Sequence, residues 1–237
     1  MKKILMSFVL LVVVIFVVVH FFGAVALGHV LGNAIGAPVS VGRLHVGIFS
    51  SSLALYRLKI KNPEGFHEKT LAEIHEVSIH YNLPDFFRGK VHLENMRLDF
   101  GDVTIEKSNG KVNLLELGAV KGITKGIGSG QEKGKPGKPG EAKKGAPKGP
   151  ELQIDEVLVN IGKVHYVEPA AQPPVDKEYD LGIHNESFKN VTKPSSLVKG
   201  IAFLILRKVG LSSLTSNFDI LLKGVGGEVK STLDKLL

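Results

Sequence analysis

The sequence predicts an α+β fold that is mainly β: an N-terminal transmembrane helix, a curved antiparallel (meander) sheet with one apolar face, and C-terminal helices. Three observations predict it. Residues 4–27 carry no charged side chain. Apolar and polar residues alternate with period 2 from 38 to 106, and again after 151. From Pro194 the apolar spacing becomes helical.

The first segment, Ile4 to Leu27, would rise about 36 Å as a helix, enough for a hydrocarbon core of about 30 Å. Lys2 and Lys3 precede it, and the next basic residue is Arg43. The positive-inside rule then places the N-terminus in the cytoplasm and the bulk of the chain across the membrane. Ala24-Val25-Ala26 resembles a leader-peptide cleavage site, but the apolar run is longer than the 7–15 residues usual for a leader. Residues 1–28 are therefore expected to be an uncleaved, single-pass anchor.

The next part, 29–120, reads as strands. Ala54, Tyr56, Leu58 and Ile60 alternate with Arg57 and Lys59, and Asn62-Pro63-Glu64-Gly65 is a turn signal. Val77, Ile79 and Tyr81 alternate with Glu76, Ser78 and His80. Val91 and Leu93 share one phase, whereas Met96, Leu98 and Phe100 share the other. That change predicts a β-bulge between Glu94 and Asn95. Val103 and Ile105 are expected to form a further short strand after Gly101-Asp102. Short strands with tight connections argue for a meander rather than for βαβ units.

Residues 121–150 contain nine Gly, four Pro, eight Lys and two Glu. So little apolar area cannot offset the entropy of ordering, and a disordered basic linker is expected. This segment also explains the charge. The formal net charge is +7. The linker holds +6 of it and Lys2 and Lys3 hold +2, which leaves the rest of the chain at −1. No basic face remains to track phosphates, so nucleic acid is not an expected partner.

Residues 151–193 resume the alternation, with Leu152 and Ile154, then Val157, Val159 and Ile161, then Val164 and Tyr166 after Gly162. One sheet interrupted by an insertion is the expectation. Residues 194–237 are expected to be helical. A first helix from Pro194 to about Val209 is capped by Gly210 and is too short to cross a bilayer.

No catalytic constellation is present. The chain has no Cys, which excludes disulfides, thiolate metal sites and a cysteine nucleophile. His75-Glu76-Val77-Ser78-Ile79-His80 is one residue off the H-E-x-x-H zinc motif and falls in a strand, with the two histidines expected on opposite faces. Neither a phosphate-binding glycine loop nor a nucleophile elbow occurs. No catalytic residue, metal or cofactor is assigned.

The order of parts resembles the N-terminal module of the AsmA-like family, which includes the TamB-type proteins. The matching positions are Asn62, Pro63, Gly65 and Phe66, then Gly89 to Phe100, then Asn113, Leu114 and Leu117. The resemblance implies an inner-membrane protein of a Gram-negative cell, facing the periplasm. Its apolar β-groove would carry phospholipid towards the outer membrane, without enzyme activity. Strands add about 4.8 Å each across a sheet, so this chain is too short to bridge an envelope alone. It would work locally, shuttle, cap an envelope partner or form a homo-oligomer.

The expected lipid-facing residues are Ala54, Tyr56, Leu58, Ile60, Val77, Ile79, Met96, Leu98 and Phe100. The alternative is a membrane-anchored scaffold or assembly factor whose groove is closed by its own C-terminal helix. The discriminating feature is where the apolar Leu197–Leu206 segment lies.

Overall fold

The computed structural model describes residues 2–47, 50–121 and 152–210; side chains are described at 6, 7 and 10 and from residue 22 onward, Lys121 excepted. The expected linker over 121–150, apart from the backbone of Lys121, and the helical pieces beyond Gly210 lie outside the described residues.

A helix, α1 (Lys2–Ile35), leads into three strands: β1 (Val39–Gly47), β2 (Ser52–Lys61) and β3 (Thr70–Tyr81). A one-turn helix, α2 (Leu83–Phe87), precedes β4 (Val91–Ser108). The short β5 (Lys111–Val112), a 3₁₀ turn at Asn113–Glu116 and α3 (Gly118–Lys121) follow. Then come β6 (Leu152–Glu168), β7 (Val175–Val191) and α4 (Pro194–Lys208). The strands form one sheet in the order β1-β2-β3-β4-β6-β7, with β5 paired to β4.

Two expectations are corrected. The sheet is mixed rather than an antiparallel meander, because β6 runs parallel to β4, from Val91↔Leu152 to Glu106↔Val167. The physical reason is the connection between them. The chain leaves β4 at Ser108 and must return to the far end before β6 starts, and residues 109–151 are long enough for that crossover.

The expected transmembrane helix is also overturned. Among the described residues no helix is long and apolar enough to cross a membrane. Helix α1 does not stop at residue 28. Its last turns, through Leu27, Leu31 and Ile35, pack against the protein core. Gly28 and Gly32 bring the helix backbone close to Val39 and Ala37, where an added Cβ would press on their carbonyl oxygens. The apolar character of these turns therefore serves a protein contact.

The strands are longer than their local patterns suggest. Val103 and Ile105 belong to β4 rather than to a separate strand, and Gly162 sits inside β6 rather than in a turn. What divides these strands is a crease. Along one line across the sheet, each of β1, β2, β3, β4 and β6 changes phase by one residue. Inward positions run Val41 then Leu44, Leu55 then Leu58, Ile74 then Val77, Phe100 then Val103, and Ile161 then Val164. The line passes through Gly42, Arg57, His75, Gly101 and Gly162. Arg57 takes the left-handed conformation, at φ 55°. A Cβ on Gly101 would overlap the His75 ring. Without the crease, half of each strand would turn its apolar residues to solvent.

The expected bulge at Glu94–Asn95 has a counterpart in the pairing. His80 pairs Asn95 and Tyr81 pairs Leu93, so Glu94 is skipped. Leu93 and Met96 thereby both pack on the core.

Candidate functional site

The core-facing side of β2–β4 forms a trough. Leu55, Leu58, Ile60, Ala72, Ile74, Val77, Leu98 and Val103 make its buried floor. Leu31, Ala34 and Ile35 of α1 border it, and Leu197, Val198, Ile201, Ala202 and Ile205 of α4 face the floor. Between them lies a cavity of about 190 Å³ whose described lining is wholly aliphatic or aromatic apart from Met96 and Pro194.

Helix α4 takes this position for local reasons. Pro194 suits its first turn, and Gly210, at φ 79°, follows its last residues. Its residues from Ile201 to Leu206 are buried without interruption. Over this stretch the helix faces water on no side, whereas Pro194 and Lys208 at its ends are exposed.

Seven of the nine expected groove residues line the cavity: Leu58, Ile60, Val77, Ile79, Met96, Leu98 and Phe100. Ala54 and Tyr56 do not. The phase change at Arg57 turns them to the opposite face, where the Arg43 guanidinium lies 4.8 Å from the Tyr56 ring centroid. Their inward places are taken by Leu53 and Leu55. The contribution of α1 was missed, although Leu27, Leu31 and Ile35 repeat at a spacing of four, which is a helical stripe.

The titratable residues cluster elsewhere. His92 bridges two carboxylates: Nδ1 lies 2.8 Å from Asp85 Oδ2 and Nε2 lies 2.9 Å from Asp155 Oδ2. Both ring nitrogens can donate only in the imidazolium form. The Asp155 and then the Asp85 hydrogen bond hold the His92 pKa above its ordinary value. The same bonds hold both aspartates below theirs.

A second cluster surrounds Glu106, whose side chain is fully buried. Burial pushes its pKa up. The backbone N–H groups of His67 and Glu68, at 2.9 Å each, with the His67 ring at 3.0 Å, more than offset this and leave it lowered. These bonds tie the β2–β3 loop to β4.

His75 and His80 both lie on the outer face of β3, not on opposite faces, because the crease falls between them. Among the described residues no group of three or more His, Asp or Glu side chains is placed to hold a metal ion. No described residue lining the cavity carries a titratable group. A lining of this kind can exclude water from apolar groups.

Comparisons with family models, curated proteins and solved structures return no match to this chain.

Proposed function

We propose that this protein is a non-enzymatic lipid-binding module of the cell envelope, facing the periplasm, that holds part of a phospholipid acyl chain between its sheet and its two long helices. One observation carries the reading: the wholly apolar cavity of about 190 Å³ under α4. The cavity is partly open; a fully enclosed void of that size, left empty, would cost about 4–5 kcal/mol at roughly 24 cal/mol per Å³. Engineered apolar cavities of about 150 Å³ already accept benzene. Each methylene moved from water into such a site gains about 0.8 kcal/mol. The resemblance of Asn62–Phe66 and Gly89–Phe100 to AsmA-like proteins points the same way.

A second reading has its own support. Leu197, Ile201 and Ile205 face the floor of the trough, so α4 covers much of the groove from within. On that reading the protein is an envelope scaffold or assembly factor, alone or as a homo-oligomer, and the cavity is a packing defect.

Native mass spectrometry of the purified full chain, followed by lipid extraction, separates the two. The lipid reading expects co-purifying phospholipid. It also expects Ala72→Leu, which fills the cavity from its buried floor, to keep the fold and expel the lipid. A lipid-free wild type, with Ala72→Leu only raising the melting temperature, would establish the scaffold instead.

A further inference from the structure

The end of the sheet where β3 passes into β4 carries a feature that the cavity does not use. Phe86 and Phe87 of α2 are 62% and 80% exposed. Their rings meet edge to face, with centroids 6.3 Å apart. Among the described residues they are the large exposed hydrophobics outside α1. Arg88 and Lys90 follow directly and are exposed, the Arg88 guanidinium resting 3.3 Å from Asp85 Oδ1 at the surface.

This tip is held firmly. Asn82 Oδ1 accepts from the Asp85 N–H at 3.1 Å, and Asn82 Nδ2 donates to Glu94 at 2.9 Å. The Asp85–His92–Asp155 bridge fastens α2 to β4 and β6. A flexible loop could fold its aromatic rings inward. A one-turn helix with this many tethers cannot, so both rings stay in water at a standing cost unless something covers them.

We propose that α2 is a peripheral docking tip for an anionic lipid surface, with Phe86 and Phe87 inserted at the headgroup level and Arg88 and Lys90 against lipid phosphates. The pairing of two aromatic rings with two adjacent cations argues for this occupant. Aromatic residues favour the membrane–water interface, and cations next to them gain from the negative surface potential. A protein partner with an apolar pocket would not account for both cations lying beside the rings. The tip is independent of the cavity: it docks the molecule whether or not the trough holds a lipid.

The chain contains no Trp, so Phe87→Trp in the full protein is a local reporter. A second variant, Lys177→Trp on exposed β7, serves as the control. Vesicles of phosphatidylcholine with phosphatidylglycerol should shift the Phe87→Trp emission to the blue, and acyl-brominated lipid should quench it. The control should do neither. Combining Phe87→Trp with Arg88→Gln and Lys90→Gln should weaken the partition by about 25-fold, at roughly fivefold per cation. If Phe87→Trp stays unshifted and unquenched, whether the chain ignores the vesicles or binds them elsewhere, the proposal is overturned. A blue shift that instead needs an added envelope protein extract, and not vesicles, would overturn it in favour of a protein partner.

Discussion

Asn113 Nδ2 donates to Asn62 Oδ1 at 2.8 Å, joining two turns that lie 51 residues apart. The same amide donates to the Thr104 carbonyl at 2.8 Å. Its oxygen accepts the Glu106 and Leu114 N–H groups at 3.0 and 2.8 Å. One fully buried side chain thus closes the β2–β3 loop, the far end of β4 and the 3₁₀ turn onto each other.

Asn113→Ala should therefore destabilise the fold by about 2–4 kcal/mol, because it strands two buried N–H groups as well as the Asn62 and Thr104 acceptors. Asn62→Ala removes two bonds, the one from Asn113 and its own to the Glu68 carbonyl at 2.7 Å, but at a less buried place, and should cost about 1–2 kcal/mol. Urea unfolding of the two variants checks the order, and equal costs would contradict the role given to Asn113.

His92 makes stability depend on pH in two directions. Its folded pKa is raised, so its contribution is complete below the ordinary 6.5 and disappears as pH rises through the raised value. The lowered pKa values of Asp85 and Asp155 mean that their contribution is complete above the ordinary carboxylate range and is lost as pH falls through them. The bridge should be strongest from about pH 4 to 6.5. In His92→Gln the decline in stability on the alkaline side should flatten. Melting temperatures measured across pH would show this.

Gly36 has φ 77°, and a Cβ there would overlap the backbone of Gly118. The two segments are close enough for the Gly118 N–H to reach the Gly36 carbonyl at 3.4 Å. Gly36→Ala should cost about 1–3 kcal/mol from backbone strain alone, with the clash adding to it. Gly65 also has positive φ but open space around it, so Gly65→Ala should carry only the strain. Thermal unfolding of the pair separates the two effects.

Arg57 holds a left-handed conformation on the crease. Arg57→Gly should be neutral or stabilising by up to about 1 kcal/mol, since glycine adopts that conformation freely. Arg57→Val should lose about 1–3 kcal/mol, because a branched Cβ resists positive φ. If both substitutions behave alike, the crease does not constrain this backbone.

Much of the sheet was legible because alternation is a local property. Val77, Ile79, Leu98 and Phe100 declare their common face through their own spacing, and the skip at Glu94 is visible in β4 by itself. Helix α4 was legible too, since Pro194 and Gly210 mark its ends. Ala54 and Tyr56 were misplaced for a definable reason. Their strand reads as one unbroken alternation, and only the conformation of Arg57 reverses it. Arginine carries no sequence signal for positive φ, and the glycines on the crease, Gly42, Gly101 and Gly162, do not adopt it.

The amino-acid sequence by itself determined a β-rich chain with an apolar face, a helical start and an apolar helix at 194–208, because these follow from the periodicity of neighbouring residues. Only the tertiary structure decided that β6 lies parallel to β4 and that the phase changes align into one crease. It also decided that the end of α1 belongs to the core rather than to lipid. Each of these depends on which distant segments meet, and pairing energies between distant strands leave no mark on the local pattern of either one. The 24 uncharged residues at the start specify a helix with apolar sides. What the last turns of that helix touch is settled by Leu27, Leu31 and Ile35 meeting a sheet that forms later in the chain.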